Sequence, residues 1–196
     1  MSFLFCRRAV KRVCGFTLVE MVVVLGIFAV ITSVVLARYK DFSGGIILNN
    51  LAYEIGITIR EAQVYGLSVK DAGTSLFTVR YGIHLAYPTS NTFVLFGDVD
   101  GNLQYTGSSE VIESLRATQG NTIDDFCGQR LDGTYECGKA GTITWLDIMF
   151  LRPNPDAIFK SSSGQAYQAA TITVKSPGTN KIKTITVRTT GQIAVN

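Results

Sequence analysis

Residues 16–37 read FTLVEMVVVLGIFAVITSVVLA, and this apolar run determines the organisation of the chain. It holds a single charged residue, Glu20. As a helix rising about 1.5 Å per residue it spans about 33 Å, and the hydrocarbon core of a bilayer is about 30 Å thick. The sequence therefore predicts a membrane-spanning helix near its N-terminal end.

Charges on either side of this stretch predict its orientation. Four basic residues and no acidic one lie among the first fifteen positions, whereas Arg38 and Lys40 follow the stretch. Because cytoplasmic flanks are enriched in Lys and Arg, the leading cations favour a cytoplasmic N-terminus, and the trailing pair opposes them. The rest of the chain then lies outside the cytoplasm.

A small residue stands before the apolar run. Residues 33–40 read SVVLARYK and lack the small-residue pattern of a signal-peptide cleavage site, whereas Gly15 directly precedes Phe16. A carboxylate in hydrocarbon costs several kcal/mol unless it is paired, so Glu20 is a candidate functional residue whose natural partner is a cation at the same depth. The alternative is a plain anchor whose Glu20 reaches back to the headgroups.

The string Gly15-Phe16-Thr17-Leu18-Val19-Glu20, behind a short basic leader, resembles the prepilin motif of type IV pilins and type II secretion pseudopilins. The resemblance implies that a prepilin peptidase cuts between Gly15 and Phe16 and methylates the new amine of Phe16. It implies that Glu20 pairs with that amine on a neighbouring subunit during filament assembly. The implied partners are this peptidase, other pilin or pseudopilin subunits, the inner-membrane assembly platform and membrane lipid.

Beyond residue 37 the helical pattern continues and then gives way to a strand pattern. Ser43-Gly44-Gly45 predicts a bend or a melted turn, since each glycine weakens a helix by about 1 kcal/mol. An amphipathic helix follows and ends near Gly66, a residue that suits a C-terminal cap. Its apolar stripe consists of Ile47, Leu48, Leu51, Ile55, Ile59 and Ala62.

From about Thr74 onward the period is 2, which is typical of strands with one buried face. Predicted strands lie at residues 77–85, 92–96, 103–105, 142–146, 148–151, 157–160, 170–175, 183–188 and 192–195, with a turn at 176–180. The fold class is α+β, a long N-terminal helix followed by a mainly antiparallel β head. We predict a leader at 1–15, a transmembrane half-helix at 16–38, an amphipathic half-helix at 39–66 and a head at 67–196.

This order most resembles the GspH/FimT group of minor pseudopilins and pilins. The features that carry the likeness are Arg60-Glu61-Ala62, residues 93–105 (FVLFGDVDGNLQY), residues 148–151 and a final hairpin turning at Gly191. The resemblance implies a head built largely of two β-sheets against the helix. The protein is then a single-pass inner-membrane protein with its head outside the cytoplasm, which later enters a pilus or pseudopilus.

The four cysteines divide by compartment. Cys6 and Cys14 lie in the predicted leader, and Cys127 and Cys137 lie in the exported head. In an oxidising compartment the latter pair is a candidate disulfide that stabilises the fold by about 2–3 kcal/mol, with two free thiols as the alternative. Zinc is poorly supported because His84 is the sole histidine and no CxxC spacing occurs.

Asp98, Asp100 and Asn102 place oxygen ligands at alternate positions, like the start of a calcium loop. The twelfth position, where an EF-hand needs an acid, carries none here. Glu110 and Glu113 either complete a calcium site or are simply solvated, and Asp100-Gly101-Asn102 also reads as a hairpin turn. We expect no other cofactor.

The sequence favours some classes of function over others. No GxSxG or phosphate-binding loop occurs, which argues against an enzyme. Of the 18 basic residues four lie in the leader, which leaves 14 against 15 acidic ones and argues against a nucleic-acid partner. A structural filament subunit is the first hypothesis. A filament-associated binding module, either a DNA-uptake receptor or an adhesin, is the alternative, which would use the cations of the last hairpin, Lys175, Lys181, Lys183 and Arg188.

Overall fold

A computed structural model describes residues 15–68, 79–88, 91–118, 120–177 and 181–196, without the side chains of 38–43. Within these ranges the chain forms one helix, α1 (Leu18–Leu67), followed by ten strands. The apolar helix followed by antiparallel sheets confirms the predicted α+β class. The chain divides into two compact units, Met1–Lys40 and Asp41–Asn196. Most of the leader lies outside the described residues, and the predicted domain limits remain predictions.

Two five-stranded sheets make up the head. The strands are β1 (Arg80–Ala86), β2 (Thr92–Asp98), β3 (Val111–Arg116), β4 (Thr122–Arg130), β5 (Tyr135–Cys137), β6 (Trp145–Leu151), β7 (Asn154–Ser161), β8 (Tyr167–Lys175), β9 (Ile182–Arg188) and β10 (Ile193–Val195). The first sheet has the order β3-β2-β1-β6-β7 and the second β10-β9-β8-β4-β5. The neighbouring strands pair antiparallel.

The second half of α1 supplies one wall of the hydrophobic core. Five residues of the predicted stripe are buried, whereas Ile47 is only half-buried and Ala52 joins the set; the buried residues are Leu48, Leu51, Ala52, Ile55, Ile59 and Ala62. They form one cluster with inward side chains of both sheets, such as Phe93 and Phe126. The predicted amphipathic helix is confirmed, because its apolar face packs against the β head.

The predicted defect at residues 43–45 does not occur, since α1 is continuous there. Helix stability in proteins comes mostly from packing an apolar face, and Leu48 and Leu51 are packed within the next two turns. That packing offsets the intrinsic cost of the two glycines.

Gly66 is not a cap, which corrects the prediction. It is a buried helical residue one position before the end of α1 at Leu67. A Cβ placed on Gly66 would lie 2.5 Å from the carbonyl oxygen of Phe150 in β6. Glycine therefore permits a close approach between helix and sheet, which the Arg152 N–H reinforces by donating to the Gly66 carbonyl at 2.9 Å.

Most predicted strands are confirmed. The runs at 92–96, 157–160, 170–175 and 183–188 fall within β2, β7, β8 and β9, and β10 covers all but the first residue of 192–195. In the first run Val79, Tyr81, Ile83 and Leu85 are buried as expected; residues 77, 78 and the turn residues 178–180 lie outside the described part. The final hairpin turns at Gly191, whose φ is 76°.

One predicted strand was wrong, two predicted strands belong to a single strand, and three strands were missed. Residues 103–105 form a loop, in which Leu103 has a φ of 68° that no strand accommodates. The runs at 142–146 and 148–151 are not separate strands, because β6 joins the end of the first to the second. The missed strands are β3, β4 and β5. In β4 a bulge between Ile123 and Asp125 shifts the buried face and hides the period of 2.

Candidate functional site: the start of the membrane helix

The segment from Gly15 to Glu20 brings the predicted cleavage and assembly residues to the start of α1. Residues 15–17 are not helical, and α1 begins at Leu18. The backbone N–H of Glu20 donates to Oγ1 of Thr17 at 3.2 Å. Thr17 is therefore the N-cap, and Glu20 is the third helical residue. Thr-x-x-Glu is the capping-box pattern, so the sequence itself carries the signal for this cap.

Glu20 occupies a favourable electrostatic position even within one chain. It is the acidic residue of the first helical turn, where free N–H groups carry partial positive charge that attracts a carboxylate. Its side chain is exposed. This role within its own helix is distinct from the pairing with a neighbouring subunit that the prepilin resemblance implies for Glu20.

The bond predicted to be cut is accessible. Phe16 is 78% exposed, and no atom of the described residues lies within 4 Å of a Cβ placed on Gly15. Both residues lie before the first helical turn. A peptidase needs its substrate backbone free of helical hydrogen bonds, and the peptide between Gly15 and Phe16 meets that condition.

The helix that follows is long and apolar enough to cross a membrane. The candidate span is Leu18–Ala37, which has a mean hydropathy of 2.6 and none of whose residues is buried against the described part of the protein. Its two hydroxyl side chains donate within the helix, Thr32 to the Phe28 carbonyl and Ser33 to the Ala29 carbonyl, each at 2.8 Å. Hydrocarbon offers no hydrogen-bond partners, so this internal pairing suits the span for lipid.

Residues 10–36 match the family model of the prokaryotic N-terminal methylation motif. The chain carries a prepilin-type N-terminal motif. The match supports a place in the type IV pilin and pseudopilin family and a structural role. The prepilin motif implies processing by prepilin peptidase and assembly with other pilin subunits. No curated protein and no solved structure matches the chain.

Cys127 in β4 and Cys137 in β5 form a disulfide in the head. The two residues are direct cross-strand partners, with their Cα atoms 4.1 Å apart. The Gly138 N–H donates to the Phe126 carbonyl at 2.9 Å, which marks them as a closely spaced non-hydrogen-bonded pair. The bridge holds the three-residue strand β5 against β4.

A polar network next to the disulfide fixes β5 from the other side. Glu136 Oε2 accepts hydrogen bonds from the Ser163 hydroxyl at 2.6 Å and the Tyr167 hydroxyl at 2.5 Å. These bonds, first from Ser163 and then from Tyr167, hold the pKa of Glu136 below its usual value. Burial, followed by the bond to Glu136, raises the pKa of Tyr167. The network is therefore built around an ionised Glu136 and a protonated Tyr167.

His84 forms a contact that the sequence did not reveal, because its partner lies 63 residues away. Its Nδ1 lies 2.5 Å from Oδ1 of Asp147, and Asp147 Oδ2 accepts the backbone N–H of Tyr105 at 2.9 Å. Burial is the main cause that raises the pKa of Asp147. The His84 ring packs on Tyr105 and Trp145, with centroids 4.5 and 6.4 Å away. We interpret the pair as an anchor for the loop that contains Tyr105.

Some of the predicted calcium ligands lie close together in the structure and others do not. Carboxylate oxygens of Asp98, Asp100 and Glu110 lie within 4.8 Å of one another. The side-chain amide of Asn102 instead donates a hydrogen bond to Oδ2 of Asp100 at 2.7 Å. Glu113 is exposed on β3.

Proposed function

We propose that this protein is a structural subunit of a type IV pilus or type II secretion pseudopilus, similar to the GspH/FimT group. Prepilin peptidase removes residues 1–15 and methylates Phe16, and the processed chain enters or initiates a helical filament through α1. The observation that carries the proposal is the motif at residues 10–36 leading directly into an exposed apolar helix with Glu20 in its first turn.

Charge drives assembly in this proposal. Cleavage creates a cationic amine on Phe16, two residues before the first helical residue, and methylation keeps that charge. A cation at a helix N-terminus is repelled by the macrodipole, so it gains from a carboxylate. Glu20 of a neighbouring subunit supplies that carboxylate at membrane depth, where an unpaired charge is costly for both chains. The pairing sets the register of each new subunit.

The decisive experiment separates this pairing from the capping role of Glu20. Glu20→Gln keeps a capping-box residue but removes the charge, whereas Thr17→Ala removes the cap, which is worth about 1 kcal/mol, and keeps the charge. Each variant is expressed with prepilin peptidase and the cognate assembly machine, and subunits are quantified in membranes and in sheared filaments. We expect Glu20→Gln to be inserted and cleaved but missing from filaments.

Thr17→Ala should be cleaved and assembled, with Thr17→Ser as its matched control. Full assembly of Glu20→Gln together with failure of Thr17→Ala would assign Glu20 to capping and remove the pairing account. Gly15→Leu tests the cleavage step, because a bulky residue at this position should leave the leader attached. A processed and assembled Gly15→Leu chain would refute the assignment of the cleavage site.

The geometry gives less support to a DNA-binding module. Lys183 and Arg188 lie five residues apart on β9, so their side chains point to opposite faces of the sheet. The groove beside Arg188 is otherwise lined by the neutral residues Thr186, Thr190, Gln192, Ala194 and Asn196. Tracking a phosphate backbone needs several cations on one face. DNA affinity that falls steeply with salt and is lost in Arg188→Gln would favour the binding module instead.

A further inference from the structure

We propose that the acidic loop, residues 98–110 between β2 and β3, binds one calcium ion through Asp98, Asp100 and Glu110. This site is independent of the processing and assembly of the N-terminal segment. The β2–β3 pairing creates it, because the Gly97 N–H donates to the Glu110 carbonyl at 2.9 Å and thereby brings the two ends of the loop together.

The site contains carboxylate oxygens that have no hydrogen-bond partner among the described residues. Asp98 and Glu110 are 2% and 3% exposed, and Asp98 Oδ1 and Glu110 Oε1 are both buried without a hydrogen bond. Their other oxygens are occupied. Asp98 Oδ2 lies 3.3 Å from Arg80 Nη1, and Glu110 Oε2 accepts from the backbone N–H of Thr106 at 2.7 Å. Arg80 Nε in the same cluster is also buried without a partner. Because buried polar atoms are nearly always paired, the two carboxylate oxygens are available to ligate a cation.

The charge balance points the same way. Among the described residues, Arg80 is the one cation paired with this cluster of three carboxylates. The Thr106 hydroxyl lies 2.9 Å from Glu110 Oε2 and 3.4 Å from Asp100 Oδ2, yet it has only one proton to donate. A divalent cation would neutralise the remaining charge and accept electron pairs from the unpartnered oxygens.

Ligand chemistry favours calcium. The acidic side chains offer only oxygen, which suits the hard cations calcium and magnesium over zinc or copper. One oxygen from each of the three carboxylates lies within 4.8 Å of the others, so all three can ligate one ion. Calcium accepts a flexible arrangement of carboxylate and water oxygens. Magnesium requires shorter distances and near-ideal octahedral geometry. The exposed position of Asp100 leaves room for water as a further ligand.

Calcium would fix the acidic loop on the head. Tyr105 lies within the loop and donates its backbone N–H to Asp147 of β6. A bound ion therefore closes the loop at one end while the Asp147 contact holds its middle. The affinity expected for an extracytoplasmic site with one exposed ligand is about 10⁻⁴–10⁻³ M, the range of extracellular calcium modules.

The test uses the full chain in detergent and calcium chloride, with magnesium chloride as the comparison. Equilibrium dialysis gives stoichiometry, and thermal unfolding followed at Trp145 gives stabilisation, since a ligand that binds only the folded state raises the midpoint. We expect one calcium per chain and at least about tenfold weaker magnesium binding. Asp100→Asn and Glu110→Gln should each weaken calcium binding by at least about tenfold.

Glu113→Gln is the matched control, because Glu113 lies on β3 three residues from Glu110 but is exposed. It should bind calcium like the wild type. Asp100 is exposed as well, so Asp100→Asn keeps the test valid even if Glu110→Gln folds poorly. No saturable calcium binding by the wild type, or an Asp100→Asn variant that binds like the wild type, would overturn the proposal.

Discussion

Gly66→Ala should destabilise the head, although the substitution improves helix propensity. In a helix interior alanine is better than glycine by up to about 1 kcal/mol. At Gly66, however, the new Cβ would lie 2.5 Å from the carbonyl oxygen and 2.8 Å from the carbonyl carbon of Phe150. These are backbone atoms of β6, and no side-chain rotation relieves the contact. Overpacking costs typically about 1–3 kcal/mol, and after the gain of about 1 kcal/mol in helix propensity a net loss of up to about 2 kcal/mol should remain.

The assay is urea unfolding of the full chain in detergent, followed by the fluorescence of Trp145, the only tryptophan. Gly45→Ala is the matched control in the same helix, since among the described residues its Cβ would meet only the end of the Lys181 side chain, with Nζ at 3.3 Å. Gly45→Ala should therefore be neutral or stabilising. If Gly66→Ala is as stable as Gly45→Ala, the close approach of helix and sheet is not what requires glycine at this position.

Three further predictions concern the head. Cys127→Ser should lower the free energy of unfolding by about 2–3 kcal/mol, and reductant should lower that of the wild type equally; no loss would remove the disulfide's role. Glu136→Gln should lower the free energy of unfolding at neutral pH. The difference from the wild type should shrink as the pH falls below 4.5, the usual pKa of Glu, and through the lower pKa of folded Glu136, because protonation then removes the same hydrogen-bonded charge. A pH-independent difference in urea titrations would contradict this. Gly191→Ala should cost more than Gly133→Ala, because both have positive φ but only at Gly191 would the Cβ also meet a backbone oxygen, that of Pro155 at 2.0 Å; equal melting temperatures would refute this.

Local signals account for what could be predicted at the N-terminal end. Short stretches of the chain contain the methylation motif, the membrane span and the apolar stripe of α1. These features could therefore be predicted without tertiary information. The capping role of Thr17 is equally local, since the spacing Thr17-x-x-Glu20 is itself a helix-start signal. The continuity at residues 43–45 was not predictable from propensity, because it depends on what the following turns pack against.

Several features of the head could not be predicted from the sequence. Strand β4 carries Asp124 and Asp125 and a bulge, so its buried residues Ile123 and Phe126 are three apart rather than two. The bulge interrupts the period of 2 that would have identified the strand. Glu110 could be suspected as a ligand, but only the β2–β3 pairing shows that it meets Asp98 while Glu113 does not. The contact between His84 and Asp147 had no sequence signal, since it joins strands far apart in the chain.

The most direct test of the filament account is the mass of the N-terminal peptide of the protein recovered from membranes and sheared filaments. The protein should be expressed with active prepilin peptidase, and a peptidase-deficient strain is the control. The account predicts a peptide that begins at Phe16 with one added methyl group, present in both fractions, and an intact leader only in the control. A peptide that retains the leader through Gly15 despite active peptidase would contradict the account and leave a membrane-anchored β domain.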